Sequence, residues 1–332
     1  MAARYDPAAY LYATARIRAL ESGLVGREKL NALLECKTVD EVVTALAAQG
    51  FDRVTREDGS TDTEGMLFAA LQKGFAAVTE SVPDPGMTAL ARLPYDGHNI
   101  KAVLKCTVRG LDPASMLIDL GTVPADRVIR AVTGADTDLF PRHMGAAISP
   151  ARAAYQASGD PRDIDFIVDK ACFADLLEAA EGFDFARRYI AARIDLVNIL
   201  MCLRLFRMQA GAAGETLLDR ALVPGGTWEP TFFKDAYAAG EDGLLTALTA
   251  TPYAALAGMA GGRAPEAVER AADNCLTGLL HETTFTAFGP EVPFAYLMGL
   301  ETAVKNVRIL LAGKAAGLSA DAIRERVRES YV

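Results

Sequence analysis

A short helical pattern recurs three times along the chain, each time as an asparagine with apolar residues one, four and five positions after it. The asparagines are Asn99, Asn198 and Asn306, which lie 99 and 108 residues apart. At about 100° per residue, the apolar positions form one stripe of an α-helix with the asparagine at its edge. Solenoid repeats have shorter periods of roughly 20–50 residues. The pattern therefore predicts three copies of a small helical bundle.

An aspartate precedes the asparagine by three residues in two of the copies, as Asp96 and Asp195, whereas the third copy has Ala303. Residues three apart lie on the same side of a helix. Asparagine is unfavourable inside a helix, so its recurrence indicates a hydrogen-bonding role. We expect it to bond to backbone at the end of a neighbouring helix of the same bundle. Direct contact with a partner protein is the alternative.

A second element supports the repeat. A Leu-(Ile/Leu)-Asp triplet leads to Val-Pro in segments 117–124 and 217–224, at a constant offset of 100 residues. A weaker copy runs from Leu20 to Gly26. Two elements that recur in the same order make a chance match unlikely in a chain rich in Ala and Leu.

These repeats predict three helical units, 1–110, 111–211 and 212–332. The chain begins and ends inside a repeat, so we expect the N-terminal helix to pack with the C-terminus. Such packing would arrange three pseudo-symmetric bundles as a funnel or ring around an axis.

The rest of the chain also reads as helical, which makes the predicted fold class all-α. Residues with high helix propensity dominate, and alternating runs of β-branched and aromatic residues are missing. Thr38 and Ser319 are placed to cap helix starts. Gly110 and Gly317 follow the first and third repeated helices, where glycine favours a helix end.

Composition and charge narrow the functional classes. Hydrophobic residues make up 51% of the chain, and the net charge of −9 argues against a nucleic-acid binder, which needs a basic surface. The five cysteines and three histidines are scattered without metal-site spacing. No secretory signal or span of about 20 strongly apolar residues stands out. We therefore expect a soluble protein that crosses no membrane itself, and the odd number of dispersed cysteines suits a reducing compartment.

Motifs for catalysis are missing. The sequence has no phosphate-binding loop, no dinucleotide fingerprint and no nucleophile elbow. We therefore assign no catalytic, cofactor-binding or metal-binding residue and expect no cofactor. Two other hypotheses stay open: a helical metabolic enzyme with a pocket between bundles, and an unrelated helical scaffold.

The repeated helices carry positive charge within an acidic protein. Cations toward helix C-termini interact favourably with the helix dipole, which is one interpretation. The other is a basic rim that faces an acidic partner. The rim residues are Lys101, Lys105, Arg204, Arg207 and Arg308.

The chain resembles the C subunits of the archaeal and bacterial A/V-type rotary ATPases, relatives of the d subunit of the eukaryotic vacuolar ATPase. The order and spacing of several segments carry the resemblance, which covers nearly the whole chain. These segments are Tyr10–Arg18, Tyr95–Lys101, Ile194–Asn198, Pro293–Leu297 and Glu301–Arg308.

The resemblance implies an all-helical funnel of three similar domains and a rotor part without an active site. It implies a place on the cytoplasmic face of the membrane proteolipid ring, with a socket for the tip of the stalk that the D and F subunits make. Torque linked to ATP and to proton or sodium transport would pass through it. Such a part needs an apolar surface toward the ring and a polar or charged surface toward the stalk.

Overall fold

The computed structural model describes residues 5–134, 136–260 and 265–332. These residues are predominantly helical, and their β structure is one isolated antiparallel bridge between Thr55 and Thr61. The predicted all-α class is confirmed. The α-helices, in chain order, are α1 (Leu11–Glu21), α2 (Arg27–Glu35), α3 (Val39–Ala48), α4 (Thr63–Ser81), α5 (Pro85–Arg109), α6 (Ala125–Thr133), α7 (Arg142–Ser158), α8 (Arg162–Ala179), α9 (Asp184–Arg207), α10 (Gly211–Ala221), α11 (Pro230–Ala238), α12 (Gly240–Leu248), α13 (Ala254–Ala260), α14 (Pro265–His281), α15 (Glu291–Ala315) and α16 (Ala320–Arg324).

The chain forms two compact units. The central unit comprises residues 86–247, and the terminal unit combines residues 5–85 with residues 248–332. The three-unit division into 1–110, 111–211 and 212–332 stays a prediction. Each of those ranges also includes residues outside the described part of the chain, namely 1–4, 135 and 261–264.

The three repeated helices are the long helices α5, α9 and α15, of 25, 24 and 25 residues. Helices α5 and α9 contribute to the core of the central unit, and α15 contributes to that of the terminal unit. Their apolar stripes are buried: Ile100, Ile199 and Val307, which directly follow the asparagines, are all completely inaccessible. Burial of these stripes accounts for the recurring apolar positions.

The three long helices also end in the same way. The N–H groups of Leu111, Ala210 and Leu318 donate to carbonyls five residues back, at 2.9, 3.2 and 2.9 Å. The residue before each of these donors has a positive φ, as Schellman-type ends require. The predicted ends at Gly110 and Gly317 are confirmed. The predicted caps are confirmed as well, since Thr38 accepts from Glu41 N and Ser319 accepts from Ala322 N.

In the terminal unit, α15 packs against α1 and α4. The end of the chain lies along the N-terminal segment, where Arg27 N donates to Val332 O at 3.2 Å. Tyr331 Oη donates to the Glu21 carboxylate at 2.7 Å. The terminal unit is therefore built from both ends of the chain.

Candidate functional site

The repeated asparagines are buried and make the same pair of hydrogen bonds in all three copies. Asn99 Nδ2 donates to Ile118 O at 2.9 Å, and Ile118 N donates to Asn99 Oδ1 at 2.8 Å. Asn198 bonds to Val223 with both distances at 2.9 Å. A side-chain amide offers one acceptor and two donors, so it can satisfy both backbone groups of a single residue. We call this arrangement the asparagine clamp.

The third clamp joins Asn306 to Arg328, with Nδ2–O at 3.0 Å and Oδ1–N at 2.7 Å. In each copy the clamped residue lies in a non-helical segment. This segment directly follows a helix C-cap in two copies, after the 3₁₀ helix Ala114–Met116 for Ile118 and after α10 for Val223, so the expected bond to backbone at a helix end is confirmed there. Such a segment has free backbone groups that no helix ladder satisfies, and a buried amide is well suited to pair with them.

The aspartates extend the clamp in the first two copies. The buried Asp96 carboxylate accepts from Thr122 N at 3.0 Å and from Val123 N at 3.1 Å. Burial raises the pKa of Asp96, although these bonds act in the opposite direction. Asp195 Oδ1 accepts from Trp228 N at 3.3 Å. Each aspartate thus holds the segment that leads into the next helix.

The hydrogen bonds of the asparagine clamps change the alignment of the second repeated element. Asn99 and Asn198 clamp Ile118 and Val223, which are 105 residues apart and not 100. The predicted match between segments 117–124 and 217–224 was wrong, because residues 217–221 belong to α10 whereas residues 117–124 form a loop. Leucine-rich helices readily produce such similarity without structural equivalence.

Two glycines allow the close approach at the aspartates, and sequence analysis did not single them out. A Cβ atom on Gly121 would lie 2.2 Å from Asp96 Oδ1, and one on Gly226 would lie 2.2 Å from Asp195 Oδ1. The shared Gly-Thr dipeptides at 121–122 and 226–227 are the signal that could have revealed the offset of 105.

The predicted basic rim is largely engaged within the two units. Lys101 and Lys105 on α5 pair with Asp169 and Asp165 on α8, at 2.6 and 2.5 Å. Arg308 on α15 pairs with Glu64 on α4 at 3.0 Å. These three ion pairs connect neighbouring helices. Arg204 and Arg207, in the last turn of α9, are exposed. The role of all five as a partner-facing rim stays a prediction.

Comparison with known proteins shows to which family the chain belongs. The profile of the ATP synthase (C/AC39) subunit family matches residues 13–326. The chain belongs to this family. It is therefore a rotary ATPase subunit, and the resemblance noted from the sequence is confirmed.

The relatives match over most of their length. The C subunit of the V-type sodium ATPase of Enterococcus hirae is 23% identical over 322 residues, covering 95% of this chain and 97% of the relative. The C subunit of the A-type ATP synthase of Thermococcus gammatolerans is 25% identical, covering 98% and 91% of the two chains. That of Methanocaldococcus jannaschii is 23% identical, covering 96% and 86%.

This C/AC39 family member exposes an apolar surface in its terminal unit. Leu11, Phe285 and Phe288 are 56%, 94% and 41% exposed. The loop that carries both phenylalanines is fixed to α1, since Arg18 donates to Thr283 O at 2.6 Å and Gly289 N donates to Thr14 Oγ1 at 3.4 Å. Leu11 lies on the same face of α1, one turn before Thr14. We call these three residues the phenylalanine surface.

Metal-ligating side chains approach one another at one place in the described ranges. His143, Asp175 and Glu178 bring their ligand atoms within 4.8 Å of one another. The Asp175 carboxylate accepts from His143 N and Met144 N at 2.9 and 2.8 Å, so it caps the start of α7. His143 Nε2 lies 3.1 Å from Glu178 Oε2 at the surface. Helix capping and one surface pair account for this geometry.

A helix that spans a membrane needs about 20 predominantly apolar residues. None of the described helices is long and apolar enough to span a bilayer.

Proposed function

We propose that this C/AC39 family member is a non-catalytic rotor part of the central stalk. In this role it couples a shaft made of the D and F subunits to the membrane proteolipid ring on the cytoplasmic side. It would pass torque between ATP hydrolysis or synthesis and the transport of protons or sodium ions. Family membership carries the proposal, and it argues against both the free-standing metabolic enzyme and the unrelated scaffold.

The asparagine clamps support the mechanical part of the proposal. A part that transmits torque must resist deformation, and each long helix is tied to a distant segment by a buried pair of hydrogen bonds. Buried and fully satisfied polar contacts favour a single well-defined packing. The proposed funnel of three bundles would place one such tie in each bundle.

Two surfaces suit the two proposed partners. The phenylalanine surface of Leu11, Phe285 and Phe288 is apolar and fits the proteolipid ring, since exposed apolar patches commonly mark binding sites. The exposed cations Arg204 and Arg207 fit an acidic part of the stalk, where charge would contribute orientation and association rate.

Binding experiments can test the two surfaces separately. The full-length protein is mixed with a tagged D–F pair and, in a second assay, with membranes that contain the ring but lack this protein. We expect the Phe285→Ser/Phe288→Ser variant to lose membrane binding and to keep stalk binding. Arg204→Glu/Arg207→Glu should show the opposite loss.

Leu139→Ser is the matched control, because Leu139 is 47% exposed and lies in the central unit. It should bind both partners like the unmodified protein. Failure of the unmodified protein to bind either partner at low salt would contradict the proposed function. Equal loss of both partners in both variants would contradict the assignment of the two surfaces.

A further inference from the structure

A cavity in the terminal unit is lined by Ala303, which stands where the other two copies of the repeat have an aspartate. The three copies of the repeat can be aligned on three helices of nine residues each, α2, α6 and α11. Val123 and Trp228 stand two residues before α6 and α11, and their N–H groups donate to Asp96 and Asp195. Val25 stands two residues before α2 and is therefore their counterpart.

The third copy lacks the acceptor for this N–H. The position three residues before the clamp asparagine is Ala303, so no carboxylate is present there. Val25 is only 1% exposed, and its N–H meets no hydrogen-bond acceptor among the described residues. A buried N–H without an acceptor is costly and uncommon in folded proteins. The third copy therefore lacks the acceptor that Asp96 and Asp195 supply in the other two.

Val25 and Ala303 both line a cavity of about 540 Å³ that opens to solvent. Pockets of roughly 300–1,000 Å³ hold small organic ligands. Leu20, Phe51 and Leu300 supply apolar walls. A ligand in this cavity would therefore carry an apolar body.

The polar groups of the cavity favour a negative head group. Arg16 and Lys73 are among its lining residues. Glu80, which pairs with Arg16 at 3.0 Å, also lines the cavity, whereas Asp52, which pairs with Lys73 at 3.5 Å, is not among the lining residues. The cavity lining therefore carries two cations and one carboxylate. The Gln49 Oε1 atom is buried without a partner. The amide of Gln49 can turn to present its NH₂ group, which would give a carboxylate a second neutral donor.

From this geometry we propose that the cavity binds a small amphiphilic carboxylate, whose head group takes the place of the missing aspartate. The carboxylate accepts from Val25 N–H as Asp96 accepts from Val123 N–H, and the chain of the ligand packs on the apolar walls. The site belongs to the terminal unit alone and does not depend on the proposed rotor function.

Titration of the full-length protein with decanoate, followed by calorimetry, tests the proposal. We expect saturable binding at one site, with binding of decanol about tenfold weaker because it lacks the charged acceptor. Ala303→Asp supplies the internal carboxylate and should weaken decanoate binding at least tenfold. Ala312→Asp is the matched control, since Ala312 is exposed on the same helix, and it should bind decanoate normally.

Ala77→Leu provides a second variant that fills the cavity without adding charge, and it should also lose decanoate binding. Thermal unfolding of each variant without ligand verifies that it folds. Absence of saturable decanoate binding in the unmodified protein would overturn the proposal. Unchanged binding in Ala303→Asp or in Ala77→Leu, or decanol binding as tight as that of decanoate, would overturn it as well.

Discussion

The central and terminal units both tie a long helix to a non-helical segment through an asparagine clamp, but the chain connects these parts differently in the two units. In the central unit, one continuous segment supplies the clamped residue, the glycine and the start of the next helix, as in residues 118–125. In the terminal unit, the clamped Arg328 belongs to the C-terminal tail, whereas helix α2 follows residues near the N-terminus. The tail and the N-terminal segment meet where Arg27 N donates to Val332 O.

The two units share the asparagine of the clamp but differ at the position of the aspartate. The asparagine is retained where the connection is broken, but the aspartate is replaced by Ala303. The asparagine satisfies both backbone groups of one residue, so it needs no particular chain connection beyond that residue. The aspartate binds the following residues, and those lie on two separate segments in the terminal unit.

Removal of the asparagine should have the largest effect and should distinguish the two units. Asn198→Ala leaves both backbone groups of Val223 unpaired, and Val223 is 2% exposed. We expect a loss of about 3 kcal/mol in the free energy of unfolding. Asn306→Ala should cost less, about 2 kcal/mol, because the half-buried Arg328 is more accessible to water. Chemical denaturation measures both values.

Asn31→Ala is the control for this comparison, because Asn31 is exposed on α2. It should change the free energy of unfolding by less than about 0.5 kcal/mol. Equal and small losses for Asn198→Ala and Asn306→Ala would show that the clamps do not stabilise the units.

The glycine beside the aspartate should give the next largest effect. Gly226→Ala places a Cβ atom against the Asp195 carboxylate, where the present spacing leaves no room. We expect a loss of about 2 kcal/mol in chemical denaturation, because a crowded site must shift to accept the methyl group. Replacement of Asp195 by alanine in the same chain should remove most of this added cost.

Gly278→Ala serves as the control, since no atom lies within 4 Å of a Cβ at this exposed helical position. The change should raise the free energy of unfolding by about 0.5–1 kcal/mol, as alanine favours the helix. If Gly226→Ala raised the free energy of unfolding as this control does, the result would argue against a tight aspartate contact.

The smallest effect should be a pH dependence that involves the aspartate. Burial raises the pKa of Asp96 above its ordinary value of 3.8. The folded protein then binds this proton more readily than the unfolded chain does. The contribution of Asp96 to stability is therefore largest below pH 3.8 and is lost as pH rises through the raised pKa.

Asp96→Asn does not titrate, so the stability advantage of the unmodified protein over this variant should shrink as pH rises from about 4. Unfolding free energies of both proteins, measured across this range, test the expectation. A difference that grows with pH would show that hydrogen bonds to the carboxylate outweigh its burial.

The sequence predicted that the repeated segments are helical and where their asparagines lie, because polar residues beside an apolar helix stripe are visible in a linear pattern. It also predicted the helix ends at Gly110 and Gly317, where glycine favours a positive φ. It did not predict that these helices are 24–25 residues long. The corresponding end at Gln209 was not predicted, because non-glycine residues seldom adopt φ near 50°.

The partners of the clamps could not be derived from the sequence. Asn99 bonds 19 residues along the chain and Asn198 bonds 25 residues along it, so the distance varies with the length of the intervening helix. Tertiary packing sets these partners. The phenylalanine surface was not predicted for the same reason, since Leu11 and Phe285 come from opposite ends of the chain.

Coupling between ATP hydrolysis and ion transport tests the proposed rotor function most directly. Membranes that carry the complete ATPase without this protein are compared before and after the purified protein is added back, and transported ions are counted per ATP hydrolysed. We predict that ATP hydrolysis drives little transport in its absence and that its addition restores coupled transport. Full coupling without it would contradict the account.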